Sequence, residues 1–312
     1  MARIVEADRK STVLKRPTLP CLSRYHTINL TAGCLFECRY CYAQSFRSHP
    51  GRGRVRFYAN TLELLKKELP RKRERPALVY FSTACEPFLP DKRILDALYG
   101  TMELLLEHSV FVLISTKSEV PDRFLQLFER HLGLVHVQVG LTTVDDSVRR
   151  VFEPNAPPVE QRLETLQRLV EHDVVTEARM DPLIPELSDT QDSFAALCEE
   201  IRHRGIRRAV ASYLFLRRAN YHRLAVKIGD WSFHEMAHRL YTHKIEKYCG
   251  GAAVRVPATG YRLRRYDLLK KIAAEHDISL GLCKCKNPDV TADCCHPQPP
   301  LTGSHVAQGT LF

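Results

Sequence analysis

The fold of this chain is constrained most strongly by a repeated alternation of short apolar segments with longer amphipathic segments. Such alternation is typical of βα units, in which helices cover a parallel sheet. Five amphipathic segments are predicted to be helices, at 61–69, 92–107, 121–129, 159–171 and 190–204. Six apolar, β-rich segments are predicted to be strands, at 25–30, 77–82, 110–115, 135–141, 174–180 and 208–215.

Six βα units are fewer than the eight that close a full barrel. The predicted fold is therefore α/β: a partial (β/α)6 barrel of the TIM type, with a helical, Cys-rich C-terminal extension. Helices on both sides of each strand predict a buried sheet, and its active site is expected at the carboxyl ends of the strands. The predicted domains are an N-terminal extension (1–24), the barrel (25–218), and a helical basic region with a Cys-rich tail (219–312).

Composition limits the class of protein. The 312 residues are 44% hydrophobic and 26% charged, which is globular and excludes a disordered or fibrous chain. No apolar run approaches the roughly 20 residues of a membrane helix, and the charged first residues do not resemble a secretory segment. We expect a soluble, cytoplasmic protein. The net charge of +10 favours a polyanionic partner such as nucleic acid, although a basic solvated surface explains it equally well.

Eleven cysteines in such a chain indicate metal or catalytic chemistry rather than disulfides. The first group, Cys34, Cys38 and Cys41, follows the first predicted strand directly. Three thiolates leave one iron of a 4Fe-4S cluster open to an external ligand. A zinc loop is the alternative, but it lacks a nearby fourth ligand and leaves the βα context unexplained.

With Tyr40, these cysteines resemble the signature of the radical S-adenosylmethionine (SAM) superfamily, three cysteines separated by three and two residues with an aromatic residue before the last. The resemblance implies that SAM binds the open iron and is reductively cleaved to a 5′-deoxyadenosyl radical that abstracts hydrogen from the substrate. It also implies a place for Tyr40 in the cofactor pocket, and an electron donor such as flavodoxin or ferredoxin as a partner.

Residues at three further strand ends resemble the cofactor pocket of the spore photoproduct lyase-like, DNA repair photolyase-related branch, over about 25–217. The resemblance implies cofactor contacts for Thr83 and Glu86, with the Glu86 carboxylate accepting hydrogen bonds from the cofactor ammonium. It implies that Lys117 pairs with the cofactor carboxylate, and Arg179 and Asp181 are expected to line the pocket. Three alternatives are open: an ordinary strand end at Glu86, a solvated loop lysine at Lys117, and a structural ion pair between Arg179 and Asp181.

Two residues are candidates for catalysis. In this branch a cysteine donates hydrogen to the product radical, and its place here is taken by Thr83. Cys85, two residues later, is a displaced donor, a substrate contact or a small packed hydrophobic residue. Tyr42 matches a tyrosine of the branch's radical-return path, although packing beside a cluster explains an aromatic residue there equally well.

The second cysteine group comprises Cys283, Cys285, Cys294 and Cys295. Four thiolates suffice for a second Fe-S cluster or a zinc ion, which these residue types do not distinguish; free thiols in a tail are the alternative. The sequence therefore predicts a radical SAM enzyme that acts on nucleic acid. The alternatives are a radical SAM enzyme for a peptide or small metabolite, and a non-catalytic, metal-stabilised nucleic-acid-binding protein.

Overall fold

A computed structural model of the protein describes residues 3–17, 22–246 and 253–292. The α-helices of this part of the chain are α1 (Thr61–Glu68), α2 (Lys92–Glu107), α3 (Asp122–Glu129), α4 (Asp146–Phe152), α5 (Val159–Glu171), α6 (Gln191–His203), α7 (Arg218–Tyr221), α8 (Phe233–Leu240) and α9 (Thr259–Glu275). None of these helices has the length and apolar character needed to cross a membrane. The strands of the same part are β1 (Arg3–Ala7), β2 (His26–Ile28), β3 (Thr31–Ala32), β4 (Arg54–Tyr58), β5 (Leu78–Phe81), β6 (Phe111–Thr116), β7 (Val135–Gly140), β8 (Val175–Leu183), β9 (Arg208–Tyr213), β10 (Lys227–Ile228), β11 (Trp231–Ser232), β12 (His243–Ile245), β13 (Val254–Val256) and β14 (Ser279–Leu282).

A seven-stranded sheet forms the centre of the fold, in the order β14-β9-β8-β7-β6-β5-β2. Every neighbouring pair in it is parallel. The six predicted strands and five predicted helices all occur, so the predicted α/β fold is confirmed. Because the strands are parallel, their carboxyl ends meet at one edge of the sheet, where the site is expected.

The two faces of the sheet differ in chemistry because side chains alternate along each strand. Val112 and Ile114 of β6 are fully buried in the large core that also contains helical residues such as Phe124. The opposite face carries polar groups near the strand ends. Ser115 lies 2.6 Å from the Tyr80 hydroxyl, measured between oxygens. This polar face is the interior of the partial barrel.

The seventh strand, β14, was missed by the sequence analysis, which counted six. It pairs in parallel with β9, with Leu280 opposite Ala209 and Leu282 opposite Ala211. Its four residues include Gly281, and so short a run gives no clear period. The consequence is that Cys283, where the Cys-rich segment begins, stands at the carboxyl end of a sheet strand.

A second, smaller sheet has the order β1-β4-β3. Val55 and Phe57 of β4 pack in a separate core cluster with Leu89 and Ile94. The first strand of this sheet comes from the predicted N-terminal extension. Since β3 lies immediately before Gly33, the small sheet borders the first cysteine group.

Candidate active site

The first cysteine group lies in a loop between β3 and a 3-10 helix formed by Tyr42–Ser45. Gly33 begins this loop with a φ of +85°, which side chains rarely adopt, and a Cβ there would lie 2.5 Å from the Arg54 carbonyl oxygen. Inside the loop, the Cys41 N–H donates to the Cys38 carbonyl at 3.0 Å, and the Cys34 sulfur accepts from the Phe36 N–H at 3.4 Å. The turn that spaces the thiols is thus fixed by its own backbone.

The three thiols of this group, Cys34, Cys38 and Cys41, line one cavity together with Ala84. Burial, followed by the Glu153 carboxylate, raises the pKa of Cys38 to about 12, and burial also raises the pKa of Cys34. Within the described residues, no three His, Cys, Asp or Glu side chains are grouped as ligands of one metal ion. Three thiols around a cavity fit a cluster, in which each thiolate binds a different iron, and the positive charge of iron stabilises the thiolate forms.

The segment that follows α4 holds the outer side of this loop. The Arg39 N–H donates to the Phe152 carbonyl at 2.8 Å, and its guanidinium Nε donates to the Val151 carbonyl at 2.6 Å. The Asn155 side-chain amide donates to the Leu35 carbonyl at 3.2 Å. The cysteine loop therefore keeps its position through contacts with residues more than a hundred positions later in the chain.

A buried cluster of charges supports the loop from below. Tyr40 donates its hydroxyl hydrogen to Glu153, and Glu153 forms a 2.5 Å ion pair with Arg162. Glu153 is 0% and Arg162 1% exposed. Burial alone would raise the pKa of Glu153, but Arg162 and Lys117 lower it below its usual value. The carboxylate is therefore ionised and fixes Tyr40 between the second and third cysteines.

Lys117 lies where this charge cluster meets the cysteine loop. Its ammonium is 3.9 Å from Glu153 and 5.8 Å from the Tyr40 ring centroid. Burial lowers the pKa of Lys117, but Glu153 and then Cys38 outweigh it and raise the pKa overall, so the ammonium stays charged. Gly140 provides the space, since a Cβ there would lie 3.0 Å from Lys117 Cγ.

Glu86 connects two strand ends. Its carboxylate accepts hydrogen bonds from the Thr116 hydroxyl at 2.5 Å, the Lys117 N–H at 3.0 Å and the Phe88 N–H at 3.2 Å. Burial raises the pKa of Glu86 in spite of these bonds. The carboxylate thus orients the backbone of Lys117, and its expected contact with the cofactor ammonium stays a prediction.

Thr83, Cys85 and Tyr42 meet at the end of β5. Tyr42 donates its hydroxyl hydrogen to the Thr83 carbonyl. The sequence analysis missed Asn29, whose side-chain oxygen accepts from the Ala84 N–H at 3.0 Å and from the Cys85 thiol at 3.5 Å. Burial raises the pKa of Cys85, so its thiol is protonated next to the cysteine cavity that Ala84 lines.

Arg179 and Asp181 project from β8 into the barrel interior, as expected. They form an ion pair of 2.9 Å, and Arg179 also donates to the Gln138 side-chain oxygen at 2.9 Å. Lys286 lies 2.5 Å from each carboxylate oxygen of Asp181. Burial alone would raise the pKa of Asp181, but Lys286 and Arg179 lower it strongly. Lys286 is a second residue that the sequence analysis missed.

Comparison with known proteins identifies the family. A sequence profile of the Radical SAM superfamily matches residues 28–198. The chain belongs to the radical SAM superfamily. It is a radical SAM enzyme, and this family uses a 4Fe-4S cluster and SAM.

Several known proteins are similar to this radical SAM enzyme. An uncharacterized protein of Acidianus two-tailed virus is 26% identical over 73% of the chain and 81% of its own length. The radical SAM Nα-GlyT isomerase of Pseudomonas phage M6 is 22% identical over 85% of the chain, and the match spans 54% of the phage protein. Spore photoproduct lyase complexed with dinucleoside spore photoproduct superposes with a TM-score of 0.66 at 13% identity, over 89% of this chain and 81% of the lyase. The likeness to the lyase shows the fold.

The second cysteine group of this radical SAM enzyme is described in part. Cys283 is buried and packs against Val210, with Cys285 beside it; Cys285 is disulfide-bonded. Cys294 and Cys295 lie outside the described residues. The predicted second metal site stays a prediction.

Proposed function

We propose that this radical SAM enzyme acts on nucleic acid and holds its cluster through Cys34, Cys38 and Cys41. The observation that carries the proposal is the cavity that these three thiols line at the carboxyl edge of the sheet. A nucleic-acid substrate is supported by the net charge of +10. It is also supported by the names of two similar proteins, one complexed with a dinucleoside photoproduct and one an Nα-GlyT isomerase.

The residues around the cavity divide the work of binding SAM. The Lys117 ammonium pairs with the cofactor carboxylate, and Glu153 keeps that ammonium charged and aimed at the cysteine loop. Tyr40, Thr83 and Glu86 form the adjoining walls, while Arg179 and Asp181 line the interior beyond them. The chemistry that bound SAM supplies is a carbon-centred radical that abstracts hydrogen from the substrate. Flavodoxin or ferredoxin supplies the electron.

Cys85 is the proposed hydrogen-atom donor to the product radical. Its pKa is raised by burial, so it keeps the S–H hydrogen that a donor needs. Tyr42 reaches the same strand end through Thr83 and is proposed for the radical-return path. Cys85→Ala is expected to cleave SAM at the wild-type rate and to lose the normal product. Unchanged product would remove Cys85 from the mechanism.

For the second cysteine group we propose a metal site, either an Fe-S cluster or zinc. Lys286 follows Cys285 and contacts Asp181, so deletion of the whole tail would also disturb the barrel. Cys294→Ala/Cys295→Ala leaves those contacts in place. Anaerobic iron and zinc analysis with electron paramagnetic resonance is expected to show one metal centre fewer in this variant. Unchanged metal content would make these thiols non-ligands.

Deuterium transfer tests the substrate class. The anaerobically reconstituted enzyme is mixed with SAM, dithionite and DNA or RNA carrying deuterated nucleosides, and 5′-deoxyadenosine is analysed by mass spectrometry. Deuterium in 5′-deoxyadenosine is the expected result, and Cys38→Ala serves as the inactive control. Transfer from deuterated peptides but not from either nucleic acid would overturn the substrate proposal. Iron-loaded protein that binds nucleic acid but makes no 5′-deoxyadenosine would overturn catalysis and favour the binding-protein alternative.

A further inference from the structure

A strongly basic stretch of chain borders the cysteine cavity. Residues 43–58 contain four arginines and no carboxylate. In β4 the side chains alternate, so that Val55 and Phe57 are buried in the core while Arg54 and Arg56 point to the other face. The small sheet therefore presents arginine side chains on its outward face.

The neighbouring strand adds another cation to this face. In the parallel register of β1 and β4, Arg3 lies directly opposite Arg54. Like charges in opposed positions destabilise a sheet. No carboxylate in residues 3–17, 22–246 or 253–292 forms an ion pair with Arg3, Arg54 or Arg56. An anion bound from solution would relieve this repulsion.

A surface pocket of about 410 Å³ lies at one end of the same face. The Arg9 guanidinium carbon lies 4.4 Å from the Tyr58 ring centroid, and the buried Arg9 Nε has no hydrogen-bond partner among the described residues. The charged residues that line the pocket comprise four cations and one acid: Arg9, Lys10, Lys15, Arg56 and Asp8. The pocket has the charge expected for phosphate.

The other end of the basic face reaches the cysteine cavity. Arg52 lines that cavity, and its side chain is 79% exposed although Glu37 lies 3.6 Å away. The Arg54 carbonyl lies against Gly33, the residue before Cys34. We name the continuous surface formed by these cations the basic track: Arg3, Arg9, Lys10, Lys15, Arg52, Arg54 and Arg56.

We propose that the basic track binds the sugar-phosphate backbone of a nucleic-acid strand and leads the target nucleotide to the cysteine cavity. This inference rests on the proposed nucleic-acid substrate and deepens it. Arg54 and Arg56 are two residues apart in a strand, which spaces them by roughly 6.6 Å, close to the spacing of successive phosphates in an extended strand. Phe46, which is 40% exposed and packs on Tyr42 beside the cavity, offers a surface on which a base stacks.

Binding of a short fluorescein-labelled single-stranded DNA to the anaerobic holoenzyme tests the track. Fluorescence anisotropy is measured between about 50 and 200 mM salt. Loss of two phosphate contacts in Arg54→Gln/Arg56→Gln is expected to weaken binding roughly tenfold and to reduce the slope of log affinity against log salt by about 1.4. Lys270→Gln/Lys271→Gln removes the same charge from α9, at the opposite edge of the fold, and is expected to bind as wild type does.

The outcomes separate the track from the substrate class. If both double variants bind DNA equally, or if the wild type binds polyglutamate as tightly as DNA, the track is overturned. Deuterium transfer from DNA by the wild type in the same preparation would leave the proposed function standing in that case. If Arg54→Gln/Arg56→Gln unfolds, Lys10→Gln/Lys15→Gln, which changes two exposed side chains of the track, is expected to lower the salt slope in the same direction.

Discussion

The Lys286 ammonium lies 2.5 Å from both carboxylate oxygens of Asp181, across 105 residues of sequence. This contact closes the C-terminal segment onto the barrel interior directly after β14. Lys286 also lies 5.1 Å from the Phe215 ring centroid. The segment that begins the Cys-rich tail is therefore part of the wall of the candidate active site.

Asp181→Asn is expected to destabilise the protein by about 3 kcal/mol, because two cations lose their buried partner. The folded-state pKa of Asp181 is lowered below the unfolded value of about 3.9. Its stabilisation is therefore complete above that value and is lost as pH falls through the folded-state pKa. Urea unfolding should give a constant difference between wild type and variant from about pH 6 to 8. A difference that changes in this range would contradict the assignment.

Arg162→Met tests the charge cluster beneath the cysteine loop. Removing Arg162 leaves Glu153 ionised and 0% exposed, which is expected to cost about 3 to 5 kcal/mol. Since Glu153 holds Tyr40, we also expect less iron after anaerobic reconstitution. Arg168→Met, on the same helix, is the control: it pairs with Glu119, which is 68% exposed, and such pairs contribute about 1 kcal/mol or less. Equal urea midpoints for the two variants would contradict the prediction.

Two glycines with positive φ separate backbone strain from lack of space. Gly53 has a φ of +67° and nothing within 4 Å of the point where a Cβ would stand, whereas a Cβ at Gly33 meets the Arg54 carbonyl at 2.5 Å. Gly53→Ala should cost only the left-handed strain, about 1 kcal/mol. Gly33→Ala adds a backbone clash, so we expect about 3 kcal/mol and a loss of iron binding. Iron content and urea midpoints measure both effects, and normal iron content in Gly33→Ala would count against a fixed loop.

Local patterns made part of this site predictable from sequence. The three cysteines lie within eight residues, and Lys117 follows a strand with a strong apolar signal, so both could be located. Arg162 lies in an amphipathic helix and has no local mark that distinguishes it from an exposed arginine. Lys286 depends on β14, whose four residues give no period. Contacts set by packing across the whole sheet were therefore missed, while those set by neighbours in sequence were found.

Gly140→Ala tests whether the position of Lys117 determines SAM affinity. Gly140 does not have a positive φ, so alanine fits its backbone, but the added Cβ would lie 3.0 Å from Lys117 Cγ and 3.1 Å from its Nζ. Displacing the ammonium should weaken SAM binding about tenfold, the loss of one charge-assisted hydrogen bond, with iron content unchanged. Gly281→Ala is the control, because its nearest new contact is an ordinary 3.7 Å. Equilibrium dialysis with SAM measures the affinities. If Lys117→Met weakens binding and Gly140→Ala does not, Gly140 has no positioning role; if neither does, Lys117 does not bind the cofactor.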